Sequence, residues 1–490
     1  MAVTTPVDKP IVTAEDYVQS IEALNLEIYA FGKKRKNSVR EPLFQPHINA
    51  VAKTYELSCQ PEHEDLMLAT SHLTGKKISR FNHIHQSRED LLKKVKMLRM
   101  INQKTGCCIQ RCAGMDALNA TYSVTYEIDR KYGTNYHERF KEYLQMVQEK
   151  NLVVIGAMTD VKGDRSLSPG EQADKDLYLH VVSQNKDGIV VRGAKAHLTG
   201  VTSAHEVMVF PTVSLREKDK EYAVVFSLPV NTPGIIYVFG RQTNDLRKTE
   251  SWDIDKGNAQ FAAVGGECLA IFNDVFVPWE RVYMCGEYDF AGLFVERFAS
   301  AHRQNYGACK GGIADVIIGA SYALALYNGV DKASHVRDKL VEMIHLTETL
   351  YSGSVACSSE GYRTASGAYM ADTLLANVVK LNTTRMVYEI CRLAHDLAGG
   401  LLATMPSEAD LRSPEIGGYL EKYLVGVAGT RAEDRMRLFR LIECLTGGTA
   451  VVEAMHGAGS PQAQRIMMLR QGNLSYKAGL AKDLAGIKDN

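Results

Sequence analysis

Seven short β-branched segments follow one another between Asn151 and Pro278, and no helical segment separates them. They are NLVVIGAM (Asn151–Met158), DLYLHVV (Asp176–Val182), GIVVRGAKAHLTG (Gly188–Gly200), EVMVFP (Glu206–Pro211), YAVVFSLPV (Tyr222–Val230), GIIYVFG (Gly234–Gly240) and CLAIFNDVFVP (Cys268–Pro278). Turn residues such as Asn185-Lys186-Asp187-Gly188 and Asn231-Thr232-Pro233-Gly234 punctuate them. Consecutive strands of this kind predict an antiparallel β domain rather than alternating βα units.

On either side the apolar spacing is helical. Glu15–Phe31 and Glu89–Asn102 show it best before the strands, and Phe298–Tyr327, Ser334–Val355, Tyr369–Leu397 and Ala432–Met455 show it after them. The expectation is an α+β chain with an N-terminal helical domain (1–150), a middle antiparallel β domain (151–287) and a C-terminal helical bundle (288–490). Lys plus Arg and Asp plus Glu both total 57, so no basic face for nucleic acid is expected. The opening MAVTTPVDKPIVTAEDY lacks an apolar export core, and no run of about 18 apolar residues predicts a membrane span. A cytoplasmic protein is expected, and its ten cysteines then need a role other than disulfides.

Two segments concentrate the reactive side chains. In GCCIQRC, Cys108 and Cys112 are four apart, which on a helix puts both thiols on one face, while Cys107 points elsewhere. In AHRQNYGACK, His302, Tyr306 and Cys309 stand at i, i+4 and i+7, one helical stripe where an ordinary core would carry Leu or Ile. Three thiols and an imidazole suit structural zinc or an iron–sulfur cluster equally, and inert buried cysteines would share the spacing. After the first middle strand, Thr159 in MTDVKGDRS can hydrogen-bond a heterocycle edge, and Lys195 and Thr199 in GAKAHLTG can meet the same ligand. An ordinary polar loop and a solvated lysine fit those residues as well. No G-x-G-x-x-G follows a strand and no phosphate-binding P-loop motif occurs.

Taken together, YVQSIEALNLEIYAFGKK, CCIQRCAGMDA, MTDVKGDRSLSP, IFNDVFVPWERVYM, AHRQNYGACKGG and LTGGTAVVEAMHGAGSPQ resemble the 4-hydroxybutyryl-CoA dehydratase family over nearly the whole chain. The first and third are shared more weakly with flavin-dependent 4-hydroxyphenylacetate hydroxylases, and the helix–strand–helix order with acyl-CoA dehydrogenases. The resemblance implies an acyl-CoA dehydrogenase-like fold, FAD, and a [4Fe-4S] cluster on Cys108, Cys112, His302 and Cys309. It also implies a CoA-thioester substrate and a homotetramer with flavin sites between subunits. Active-site roles are implied for Arg99, Gln110, Glu267, Tyr306, Lys310, Glu453 and Ala458.

The implied reaction removes water from 4-hydroxybutyryl-CoA to give crotonyl-CoA, together with isomerisation of vinylacetyl-CoA. The C2 proton is acidified by the thioester, but the C3 proton is not, and hydroxide leaves poorly. A transient one-electron step on flavin and a Lewis-acidic iron answer both problems without net redox change. His302 or a neighbouring base would take the C2 proton, although a ligand can act as base only after leaving iron. Glu453 is the next candidate base, and it also reads as a solvated helix position. Glu267 would bond a water or the leaving hydroxyl. Tyr306 would orient that hydroxyl or hydrogen-bond the imidazole, and packing alone also accounts for it. Lys310 and Arg99 would hold the thioester carbonyl or other anionic groups, with surface salt bridges the ordinary alternative. The run Lys93-Lys94-Val95-Lys96 reads as a solvated helix face. Within flavoenzymes the rivals are an acyl-CoA dehydrogenase and a phenol hydroxylase; outside them, a zinc-stabilised helical interaction protein.

Overall fold

A computed structural model describes residues 7–258, 260–261 and 265–487. All seven expected strands form, divided between two sheets. Gly188–Leu198 and Cys268–Pro278 are long neighbours in a six-stranded sheet, flanked by His180–Gln184 and Ile235–Phe239. Val154–Ala157, Glu206–Val209 and Val224–Pro229 pair with a further strand, Val282–Cys285, in a four-stranded sheet. Phe226 of one sheet meets Phe272 of the other edge to face at 6.1 Å. Each ring buried in this shared core contributes about 1.5–3 kcal/mol.

Each sheet also holds one parallel pair, so the purely antiparallel expectation is corrected. Val154–Ala157 runs parallel to Glu206–Val209, and Tyr29 pairs in parallel with Val238. Parallel neighbours need a long crossover, and here intervening strands of the other sheet supply one. The second pair arises because Glu15–Phe31 is not one helix. A capping box between Thr13 and Asp16, worth about 1 kcal/mol, opens a helix that runs only over Ala14–Ala23. The chain then turns into a hairpin, Glu27–Ala30 with Lys33–Lys36, and joins the edge of the larger sheet. Ile28 and Ala30 are buried while Glu27 and Tyr29 are exposed, the alternation of a strand. The outermost strand reads Lys-Lys-Arg-Lys, a charged edge that discourages pairing with other chains.

The helical expectations after the strands hold with adjusted ends. The helices are Ala291–Tyr327, Ser334–Ser359 and Thr373–Ala398; Tyr369–Met370 instead pairs with Tyr362–Arg363. Ala432–Met455 divides at Gly447 into Ala432–Thr446 and Gly448–His456. Ile313, Ile317, Leu324, Met343, Ile390 and Phe439 interlock in the bundle core. Helices Arg88–Thr105 and Cys112–Tyr132 of the N-terminal region also lie against Ala291–Tyr327. Gly312 permits this approach: a Cβ there would stand 2.4 Å from the carbonyl oxygen of Arg99. With its leading turn, this helix (Tyr288–Tyr327) is long and apolar enough to cross a membrane, with mean hydropathy 1.4, yet 56% of that window is buried among its neighbours. Its apolarity is that of a central bundle helix.

Candidate active site

His302, Tyr306 and Cys309 share one stripe of helix Ala291–Tyr327, as their spacing predicts. The His302 and Tyr306 rings meet edge to face with centroids 5.7 Å apart, and Phe298 stacks on His302 at the same distance. The Nδ1 of His302 lies 2.8 Å from Oδ2 of Asp116, a wholly buried carboxylate. Asn305 donates to that same oxygen at 2.6 Å, and Lys94 donates to Oδ1 at 2.7 Å. Burial opposes the Asp116 charge, but Lys94 and His302 outweigh it and hold the carboxyl below its ordinary range. Lys94 also donates to the Ala301 carbonyl and to Gln304. A solvated face for residues 93–96 is therefore corrected at Lys94, which has no exposed surface. With Nδ1 engaged by Asp116, Nε2 is the nitrogen left to face another group.

The two remaining thiols are not joined by a helical turn. Helix Arg88–Thr105 stops at Gly106, whose φ of +61° no β-carbon residue adopts cheaply, and residues 107–111 cross as an irregular loop. Cys112 then opens the next helix. Gln110 in the loop also takes a positive φ, +65°, at a cost of about 1–2 kcal/mol. Its buried amide offsets this by donating to the His47 carbonyl at 3.1 Å and accepting from Ser203 at 2.9 Å. Burial pushes the Cys108 and Cys112 thiols well up, with Cys112 adding to the shift of Cys108 and Asp116 and Cys309 to that of Cys112. Burial likewise pushes Cys309 up to about 11. The three cysteines therefore share one neighbourhood. Among the described residues, no group of three or more His, Cys, Asp or Glu side chains is gathered closely enough for a metal ion.

Helix Gly448–His456 brings Glu453 onto the same stripe, where it is far from solvated. Tyr306 donates its O–H to Oε1 of Glu453 at 2.8 Å, and Lys310 makes a short ion pair with Oε2. Burial raises the Glu453 carboxyl, but Lys310 and Tyr306 outweigh it and hold it below its ordinary value. The same burial, with Glu453 beside it, pushes the Tyr306 phenol well up. Gly457 makes room for the contact: a Cβ there would lie 2.0 Å from the Tyr306 hydroxyl. Sequence spacing gave no hint of Lys380, which is wholly buried with Nζ 4.4 Å from the centre of the Tyr306 ring. Burial pulls its pKa down to about 7.

Glu267 enters from the strand side. Thr199 lies 3.4 Å from its Oε1 and Gln242 is 3.3 Å from Oε2. Burial raises the Glu267 carboxyl, and Glu453 adds to the rise. Gly265 abuts Thr199, Gln110 and Cys108 together, which ties this corner to the cysteine loop. Ala458 holds φ +57°, and its carbonyl accepts from Arg303 Nε at 3.0 Å. Thr159 accepts the Ala196 N–H through its carbonyl, while Lys195 is buried and pairs with Asp160 at 2.5 Å, donating also to the Met158 and Phe210 carbonyls. Lys195 thus clamps the strand end that presents Thr159, rather than lying in solvent. Arg99 stands apart, forked onto Asp315 and Glu348.

Models of the 4-hydroxyphenylacetate 3-hydroxylase N-terminal and C-terminal regions match residues 13–284 and 291–486, so the chain belongs to that family. Within it the chain belongs with the 4-hydroxybutyryl-CoA dehydratases/vinylacetyl-CoA isomerases, and it is an enzyme. It is 54% identical to the 4-hydroxybutyryl-CoA dehydratase/vinylacetyl-CoA-Δ-isomerase of Clostridium aminobutyricum, over 98% of this chain and 100% of that one. The oxygen-tolerant archaeal 4-hydroxybutyryl-CoA dehydratase from N. maritimus superposes with a TM-score of 0.96 at 50% identity, covering 98% of this chain and 96% of that one. The oxygenase component of 4-hydroxyphenylacetate 3-monooxygenase, solved with FAD and 4-hydroxyphenylacetate, shares the fold at TM-score 0.83 and 23% identity, over 96% and 99% of the two chains.

Proposed function

We propose that this enzyme dehydrates 4-hydroxybutyryl-CoA to crotonyl-CoA and isomerises vinylacetyl-CoA, using FAD and a [4Fe-4S] cluster, as a cytoplasmic homotetramer of acyl-CoA dehydrogenase-like plan. The observation that carries the reading is the Tyr306–Glu453–Lys310 knot set beside Cys108, Cys112, Cys309 and His302. The donor set suits a cluster in kind: three thiols in one neighbourhood and an imidazole whose other nitrogen is anchored by a buried carboxylate. Thr159, Lys195 and Thr199 line the strand ends proposed to receive the flavin. When bound, the flavin supplies a one-electron relay and the cluster a Lewis-acidic iron for the departing hydroxyl.

The chain's own groups divide the proton work. Two carboxyls pushed in opposite directions identify a base and an acid. Glu453, held low, is ionised and accepts a proton at Oε1 or Oε2. Glu267, raised by burial and by Glu453, takes up a proton more readily than an ordinary glutamate and is placed to hydrogen-bond the leaving hydroxyl. Tyr306 stays protonated and orients the oxygen that faces it, while Lys310 keeps Glu453 charged. Gln110 and Ala458, both at positive φ, present backbone to the substrate; Arg99, already forked onto two carboxylates, fits a place at the CoA-facing surface.

Anaerobic purification followed by iron, sulfide and flavin analysis, then assay with 4-hydroxybutyryl-CoA, tests the reading. About four irons and four sulfides per chain with FAD, and crotonyl-CoA as product, are expected. Flavin without iron would sink it and point to an oxygen-consuming hydroxylase or a simple dehydrogenase.

A further inference from the structure

Lys380 is a lysine without exposed surface and, among the described residues, without an ion pair. Its Nζ donates instead to the carbonyls of Ala454 at 2.7 Å and Met455 at 3.1 Å, in the last turn of helix Gly448–His456. Carbonyls there lack helical partners and carry the negative end of the helix dipole, so a cation binds them well. The same ammonium lies over the face of Tyr306, a second place that attracts positive charge. One side chain therefore touches both halves of the Tyr306–Glu453 hydrogen bond: the ring of its donor and the turn that carries its acceptor. Arg303 secures the adjoining residues, donating to the Ala458 carbonyl and to Asn377, which lies on the same helix as Lys380. Burying an ammonium costs several kcal/mol, roughly, and a methionine would fill the space without that cost. Plain packing gives no reason for the charge.

We propose that Lys380 is a positioning residue that locks the last turn of helix Gly448–His456 against Tyr306, keeping Glu453 in register with the phenol. Its catalytic half rests on the dehydratase reading; its geometric half does not. The test uses Lys380→Met and Lys380→Arg in the cofactor-loaded full chain. Hydrogen–deuterium exchange at residues 454–459 should quicken about tenfold or more in Lys380→Met and recover in Lys380→Arg, since exchange reports local opening. In turnover, kcat should fall about 100-fold with KM within about threefold, as for a group acting on the reacting geometry. Adding Lys380→Met to Glu453→Gln should cost under about threefold more, because both act through one bond. Unchanged exchange, or losses that multiply in the double variant, would overturn the proposal. If Lys380→Met does not fold, Lys380→Leu, which likewise removes both donor and charge, is read the same way. A wild-type chain inactive on 4-hydroxybutyryl-CoA would defeat the functional reading, while the exchange experiment would still decide on Lys380.

Discussion

Glu453 and Glu267 are the same side chain in opposite surroundings, and the difference lies in their neighbours. Glu453 faces Lys310 and a phenolic O–H, whereas Glu267 has Thr199, Gln242 and burial. Glu453→Gln should therefore lower kcat by about 100- to 10,000-fold while leaving iron and flavin content unchanged, the range for losing a general base. A variant retaining full turnover would remove Glu453 from the proton path. Asp116→Asn removes the charge that Lys94 answers and the acceptor that orients His302. Leaving Lys94 buried and unpaired should cost about 3–5 kcal/mol, read as a lowered denaturation midpoint, and iron should be lost on desalting. Iron retention equal to wild type would argue against His302 as a ligand. His302, Tyr306 and Cys309 were legible because helical spacing is local. Lys94 and Lys380 were not: a lysine in a helix carries no local mark of a buried partner on another helix.

Helices and strands place these groups through a few close approaches. Gly312→Ala would push Arg88–Thr105 off Ala291–Tyr327 at Arg99, just ahead of the cysteine loop. The expected outcome is about 1–3 kcal/mol of destabilisation, from overpacking, with iron occupancy falling in parallel. Unchanged melting and iron content would mean that the loop is positioned independently of this crossing. The seven strands were readable because β-branched runs between turn residues have few alternatives. The hairpin at Glu27–Lys36 was not, since Leu24, Ile28 and Phe31 also recur at helical intervals, and pairing of Tyr29 with Val238 settled the matter. The break at Gly106 did have a local signal: a glycine after a periodic segment is the usual helix stop. Reading the four-residue cysteine spacing as helical passed over it.

Across the whole molecule, two buried neutral histidines couple folding to acid. His205 accepts the Val153 N–H at Nδ1, and His85 is held by Asn119; burial pulls both down to about 3 from 6.5. Between pH 6.5 and about 3 only the unfolded chain binds these protons, so stability falls as pH drops through that window. Each site contributes about 1.4 kcal/mol per pH unit there, and thermal midpoints should decline from pH 6.5 to 5. His85→Gln should flatten the slope, and a midpoint independent of pH would contradict this account. The order of helices and strands, and the supply of three thiols, an imidazole and two carboxyls, were written in local periodicity and residue type. Their meeting was not. Residues 108–112, 267, 302–310 and 453 converge only when sheets and bundle close on one another. Buried charges such as Lys94, Asp116 and Lys380 must then find partners at long range, because an unpaired charge in a packed interior costs more than the contacts around it return.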